Sequence, residues 1–394
     1  MTGRSGWVSA AQGLTPGGAL DGPVRVAVRD GRIADVRWGE PPPDGSDPVP
    51  GTLSPGLIDL QCNGGLGIDL GSTDPVAWAP WRRWLAANGV TSVAPTFITG
   101  PLDKMLTQVE DAHRHAGASP GSAQAGARLL GAHLEGPFIS PDRLGAHRAQ
   151  WRRDPDSKHL VALAGVTPGA LGIVTLAPEL PGADALIAAV LGTGAVASVG
   201  HSNATSNQVH RAAELGASMV THLGNAQRGL HQREPGVLGA ALIDDRLALG
   251  LIGDLTHVHP GVIELARRAA PDRCVLVTDA VADAGVSKVA PTVSTHPSGA
   301  DDAPVLAGGI HTGAMVVAGL ISAGFDPGWV VDSFTRVPAR TIGCDQLGTL
   351  EVGRWADLVR WTSDWAVEST WIAGERTANR TGVSPSDRSD AHTG

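Results

Sequence analysis

Residues 56–64 read GLIDLQCNG, an apolar run of Leu57, Ile58 and Leu60 that is interrupted by Asp59 and finished by the polar residues Gln61 and Asn63. A strand with one wet face alternates apolar and polar positions, whereas a run this apolar suits a strand covered on both faces, as in a parallel sheet flanked by helices. Seven more runs of the same kind follow: VTSVAPTFI (90–98), ARLLGAHLEGPF (127–138), LGIVTLAPE (171–179), AVASVGHS (195–202), SMVTHLGNA (218–226), ALGLIGDLTHV (248–258) and CVLVTDA (274–280). Each ends in polar or glycine residues, and the segments between them are long enough for a helix. Eight strand–helix alternations predict an α/β protein built as a (β/α)8 TIM barrel, with a doubly wound open sheet as the alternative.

The flanks have a different character. Residues 23–37, PVRVAVRDGRIADVR, alternate on both sides of Asp30 and Gly31, the signature of a two-residue β-hairpin. A proline-rich connector, GEPPPDGSDPVPG (39–51), separates it from the barrel. Near the other end, LGTLEVGRWADLVRW (347–361) and STWIAG (369–374) again read as strands. These segments are expected to meet in a small β-sandwich domain built from both chain termini, residues 1–50 and 347–376, around a barrel of residues 51–346. Residues 377–394 are polar and aperiodic, as in a disordered tail.

Composition narrows the function. A formal net charge of -9, with 18% charged residues, gives no electrostatic reason to bind nucleic acid or an anionic membrane, so any anionic ligand must be held by local positive groups. The cysteines, Cys62, Cys274 and Cys344, are far apart and form no CxxC pair, which argues against a disulfide framework or a cysteine zinc site and fits a reducing compartment. The N-terminus, MTGRSGWVSAAQG, lacks the apolar stretch of a secretory signal, and a cytoplasmic protein is expected.

Polar residues mark the site. Gln61, Asn63, Glu135, His201, His222, His257 and Asp279 each stand at or just past the C-terminal end of an expected strand, and in a parallel barrel those ends meet at one mouth. Glu135, His201 and His222 supply one carboxylate and two imidazoles, a donor set suited to a catalytic divalent metal, zinc or a relative. Water on such a metal has its pKa lowered to about 7 and becomes an adequate nucleophile for an amide carbonyl. Taken singly each residue has a plainer use: Glu135 before Gly-Pro could end a strand, and Asp279 could cap a helix. At the end of the eighth run, Asp279 is also placed as a general base toward water and then as an acid toward the leaving nitrogen. His257, Arg233 and the Asn225-Ala226 turn are cationic groups and backbone donors of the kind that hold a phosphate.

In combination, PGLIDLQCNG, GAHLEGPF, VTLAPE, GHSNAT, THLGNA, REPG, LVTDA and GTLEVGRWADL occur in the order found in N-acetylglucosamine-6-phosphate deacetylases, and the chain resembles that family of the amidohydrolase superfamily from about Pro55 to Leu358. The resemblance implies a (β/α)8 barrel, a small β domain and a homodimer. It implies metal ligands at Glu135, His201 and His222, the acid/base at Asp279, and substrate contacts at His147 and His257, the latter also near the scissile carbonyl. It further implies that Asn225, Ala226 and Arg233 hold the sugar phosphate, with the arginine contributed by the neighbouring subunit. Gln61 and Asn63 stand where many amidohydrolases carry a His-x-His metal pair. Amides are poor ligands beside imidazole, so one divalent metal per subunit is expected, zinc before iron, cobalt or manganese. Two segments depart from the pattern: HLGNAQRGL (222–230) has Gly224 and Gln227 where HL(F/Y)NAM has an aromatic residue and methionine, and LAGGIHTG (306–313) has Gly309 where a GSxLTM-like segment has serine. They leave the hexosamine epimer and the acyl group open.

The expected reaction is hydrolysis of the acetamide of N-acetylglucosamine 6-phosphate or a close epimer. The rivals are another amidohydrolase reaction, cyclic-amide hydrolysis or deamination, and a non-catalytic scaffold barrel.

Overall fold

The computed structural model describes residues 6–40, 49–71, 77–118, 121–286, 293–294 and 305–377. Most of the proline-rich connector and all but the first residue of the expected tail lie outside the described residues.

Eight parallel strands follow one another around a barrel: β1 (Leu57–Cys62), β2 (Val90–Ile98), β3 (Ala132–Glu135), β4 (Leu171–Leu176), β5 (Val196–Val199), β6 (Met219–Val220), β7 (Ala248–Ile252) and β8 (Cys274–Val277). Each pairs in parallel with the next from β1 to β8. Strand order follows chain order without a switch point, which excludes the doubly wound alternative. A helix succeeds every strand, from Trp78–Ala87 after β1 to Gly313–Ser322 after β8. Local signals set where these begin: Asp156 with His159, and Thr205 with Gln208, form capping boxes that satisfy free N–H groups at two helix starts.

The seam between β8 and β1 is closed at the mouth by Asp279 N–H to the Gln61 carbonyl (2.9 Å) and Asn63 N–H to the Ala280 carbonyl (2.7 Å). Deeper down the strands part. The carbonyls of Ser333 and Phe334 there accept from Leu276 N–H and Ile58 N–H, each at 2.8 Å, while the Asp59 carboxyl receives the Thr278 hydroxyl (2.6 Å) and Thr278 N–H (3.2 Å). Asp59, the polar break in the first run, is thus the stitch of the seam. Burial raises its carboxyl to about 6 against the bonds from Thr278 and Gln61.

A second seam is repaired within β2. Pro95 has no N–H to give its neighbour, and the register slips beside it. The Leu60 carbonyl on β1 instead meets His133 Nδ1 from β3 (3.0 Å), and Cys62 N–H donates to Thr96 Oγ1 (2.9 Å).

Two further sheets form the appendage. Gly6–Ala10, Val24–Arg29 and Arg32–Trp38 make one, whose Asp30–Gly31 turn has φ of 51° and 75°, the doubly left-handed turn that Asp-Gly favours. The other has six strands, in the order Glu375–Arg376, Val367–Ile372, Leu358–Trp361, Thr52–Pro55, Gln12–Leu14 and Leu20–Asp21, so both ends of the chain share it. Val26, Ile33, Leu53, Leu358 and Trp371 fill the space between the sheets, giving the small sandwich. The strand Thr52–Pro55 carries this sheet past residue 50 and ends two residues before β1.

Candidate active site

The ends of four strands bring the central groups together at the barrel mouth. Glu135 closes β3, while His201, His222 and Asp279 each lie two residues beyond β5, β6 and β8, with φ of 46°, 27° and 46°. Left-handed backbone at a non-glycine residue costs on the order of 1–3 kcal/mol and persists only where the surroundings enforce it. Each residue is buried. Glu135 Oε1 lies 2.8 Å from His222 Nε2 and 3.1 Å from His201 Nε2, and the two imidazole nitrogens are 3.1 Å apart.

The chemistry of this donor set calls for a cation. The Arg143 carbonyl lies 2.9 Å from His201 Nδ1 and can only accept, so that nitrogen carries hydrogen and a neutral ring would aim the Nε2 lone pair at a carboxylate oxygen. Three such atoms crowd together only with protons or a metal between them, and His222 Nδ1 is buried without a partner among the described residues. Glu135, His201 and His222 therefore fit a divalent metal. Among the described residues, Glu135, His147 and His201 also offer ligand atoms within 4.8 Å of one another, and His147 Nε2 stands 3.9 Å from Glu135 Oε2. Burial, then the neighbouring His201, pushes the His147 imidazole down to about 3.

Gln61 and Asn63 serve this centre as donors. Gln61 Nε2 donates to Glu135 Oε1 (3.1 Å) and Asn63 Nδ2 to Asp279 Oδ1 (2.9 Å), and the oxygen of each amide is buried without a partner among the described residues. Burial raises the Asp279 carboxyl well above the usual carboxylate range, the Glu135 charge adds to this, and His222 and Asn63 oppose it.

Beneath the mouth runs a line of hydroxyls: His133 Nε2, Thr175 Oγ1, Thr221 Oγ1 and Ser198 Oγ are joined by contacts of 2.7 Å. Because the Leu60 carbonyl only accepts, His133 Nδ1 must donate to it. In the neutral ring Nε2 then accepts from Thr175, and every hydroxyl points the same way.

These groups open on a cavity of about 410 Å³ that also exposes Arg143, His147, Gly224, Asn225, Ala226 and His257. His257 Nδ1 is 2.8 Å from Asp254 Oδ2, and its Nε2 is buried without a partner among the described residues. Burial alone would raise the Asp254 carboxyl, but bonds from the His257 side chain, His257 N–H and Thr256 N–H hold it below the ordinary range. Asp254 escaped the sequence reading, although its spacing three residues before His257 was the available signal. Arg143 escaped it too; it is the one arginine or lysine among the described residues lining the cavity, and its Nε and Nη2 lie 3.2 and 3.1 Å from Asn203 Oδ1. The Asn225-Ala226 turn offers less than expected: Asn225 N–H is spent on the His222 carbonyl (2.9 Å), leaving Ala226 N–H free among the described residues. Arg233 is exposed and does not line the cavity of its own chain.

A parallel barrel whose mouth gathers one carboxylate, two imidazoles and a protonatable aspartate defines the metal-dependent amidohydrolase class. The amidohydrolase family model matches residues 52–377. An N-acetylglucosamine-6-phosphate deacetylase of Vibrio furnissii is 34% identical over 82% of this chain and 82% of its own. An N-acetylgalactosamine-6-phosphate deacetylase of Escherichia coli O157:H7 is 34% identical over 92% of this chain and 96% of its own. Among solved structures, the Mycobacterium smegmatis N-acetyl-D-glucosamine-6-phosphate deacetylase in complex with N-acetyl-D-glucosamine-6-phosphate superposes with a TM-score of 0.81 at 30% identity, covering 94% of this chain and 99% of that one. The chain belongs to the amidohydrolase family, in the branch formed by these N-acetylhexosamine-6-phosphate deacetylases.

Proposed function

We propose that the protein hydrolyses the acetamide of N-acetylglucosamine 6-phosphate, or of a close N-acetylhexosamine 6-phosphate, to acetate and the free amino-sugar phosphate. The observation that carries this reading is one cavity holding both a carboxylate–imidazole centre and a separate set of anion-binding groups.

A divalent metal held by Glu135, His201 and His222 would supply the Lewis acid that polarises the amide carbonyl and acidifies water. Asp279 takes a proton from the attacking water and passes it to the departing nitrogen. Its raised carboxyl suits both halves of that transfer, and Asn63 fixes Oδ1 so that Oδ2 is left to carry the proton. His257, with Nδ1 committed to Asp254, turns Nε2 to the substrate and helps polarise the scissile carbonyl, and His147, beside Glu135, contacts the substrate. Arg143, Ala226 N–H and the Asn225 turn bind the phosphate.

The same reading places one metal in each subunit, zinc before iron, cobalt or manganese, since Gln61 and Asn63 donate hydrogen to Glu135 and Asp279 where a second metal would need lone pairs. It includes a homodimer in which Arg233, outside its own cavity, completes the neighbour's phosphate site. A cytoplasmic location is favoured by the unpaired Cys62, Cys274 and Cys344. No helix among the described residues is long and apolar enough to cross a membrane.

The deciding assay offers N-acylated hexosamines with and without 6-phosphate and measures free amine, acetate and ammonia. Acetate release with a marked preference for the phosphorylated sugars is expected. Ammonia release, or indifference to phosphate, would transfer the protein to another amidohydrolase reaction.

A further inference from the structure

The turn after β6 carries a metal ligand at one end, His222, and the phosphate-facing residues Asn225 and Ala226 at the other. Leu223 is buried in the core and Asn225 Nδ2 donates back to the His222 carbonyl (3.3 Å), but neither reaches across to Thr221. Gly224 sits in the middle with φ of 91°, and a Cβ there would meet nothing within 4 Å, so no packing anchors the turn from that position. Gln227 spans it instead: Nε2 donates to the Thr221 carbonyl at 2.5 Å, and Oε1 accepts Gly224 N–H at 3.2 Å. The carboxamide thus acts as an extra peptide unit bonded on both sides of His222. Its backbone reaches the second imidazole as well, because Gln227 bridges in parallel to Ser202, the residue after His201, and the two adjoining bonds run from Ser202 N–H to the Ala226 carbonyl (3.2 Å) and from Arg228 N–H to the Ser202 carbonyl (2.9 Å).

We infer that Gln227 is a positioning residue that ties the metal centre to the phosphate turn, so that loosening it disturbs both at once. The thioether of methionine, which the HL(F/Y)NAM pattern has at this position, has no hydrogen to donate to the Thr221 carbonyl and is only a weak acceptor for Gly224 N–H. The phosphate half of this inference rests on the proposed function, and the metal half does not.

The test uses the full chain with Gln227→Met, which removes both bonds at similar volume, and Gln227→Glu, which keeps the acceptor for Gly224 but turns an oxygen toward the Thr221 carbonyl. Three quantities are read: metal retained during dialysis against a chelator, KM and kcat for N-acetylglucosamine with and without 6-phosphate, and the unfolding midpoint. Partners of metal ligands typically alter metal affinity by about 10–100-fold. Both variants should lose metal at least about tenfold faster and, once reloaded, show KM for the phosphorylated sugar raised about tenfold, with little change for the unphosphorylated one. Metal retention within twofold of the parent in both variants overturns the inference, as does a lowered midpoint with unchanged retention and KM, which would make Gln227 a wall residue only. Faster metal loss with no phosphate preference in the parent would leave the metal half standing and remove the proposed substrate.

Discussion

The two ends of the cavity are built to different standards. At the metal end each titratable group is held by a neighbour, Gln61 on Glu135, the Arg143 carbonyl on His201 and Asn63 on Asp279, with the hydroxyl line packed underneath, while Gln61 Oε1, Asn63 Oδ1 and His222 Nδ1 are buried without partners among the described residues. At the end proposed to hold the anion one chain supplies Arg143, whose guanidinium leans on a neutral amide, the Ala226 N–H, free among the described residues, and a glycine wall at Gly224. On the proposed function, bond making is prepared inside a single chain, while recognition of the anionic group is left incomplete there. The exposed Arg233 is the kind of group that a neighbouring copy could bring to finish it.

The sharpest test of this contrast is metal removal. Chelation should abolish turnover, and one equivalent of zinc per chain should restore it, as followed by elemental analysis and acetate release; a requirement for two equivalents would overturn the donor role given to Gln61 and Asn63. Next in size is Asp279→Asn, which keeps shape and removes basicity. A loss of about 10²–10⁴ in kcat is expected, with metal content kept and KM moving far less. If Asp279 served only as a helix cap, asparagine would replace it with almost no change in turnover.

Arg233→Ala probes the unfinished end. It should raise KM for the phosphorylated sugar by about one to two decades, corresponding to roughly 1.5–3 kcal/mol for a lost charge-assisted contact, and leave the unphosphorylated sugar nearly unaffected. Mixing this variant with Glu135→Gln should recover part of the activity in hybrid dimers, which is readable in a titration of one protein with the other. No recovery at any ratio would confine Arg233 to its own chain.

The smallest effect lies under the metal end. Asp59 is raised from 3.8 to about 6 in the folded chain, so the folded state binds the extra proton between those values. Stability from this group is present at low pH and declines as pH rises through about 6, by on the order of 3 kcal/mol at most. Asp59→Asn should therefore melt progressively higher than the parent protein as pH goes from 4 to 7. A constant difference across that range would show that Asp59 does not titrate in the seam.

Much of the mouth was legible because the barrel rule converts position along a strand into position in space: residues as distant as Glu135 and Asp279 needed only to follow apolar runs. Depth was not legible. In HLEG, His133 and Glu135 are two apart on a strand and face the same side, so spacing alone does not say that one reaches the metal centre while the other, a layer lower, mends the gap left by Pro95. Arg143 was hidden because its partner, Asn203, comes from another loop, and Gln227, visible in the sequence only as a departure from the pattern, showed its use only once the turn it spans from Thr221 to Gly224 was folded. The β6 run read as nine residues and yields two of strand, because His222 turns the chain at once to present its ring.

The shared sheet of the appendage has a consequence in the time domain. Thr52–Pro55 lies between Gln12–Leu14 and Leu358–Trp361, so one edge of it has no partner until about 300 further residues have been synthesised. At roughly 5–20 residues per second that is about 15–60 s, during which the barrel strands emerge and begin to pair while an open strand edge waits beside them. An unpaired edge is a template for association with other chains. Slower initiation, which spaces nascent chains apart on a message, should therefore raise the soluble yield of this protein more than slower elongation, which prolongs the wait.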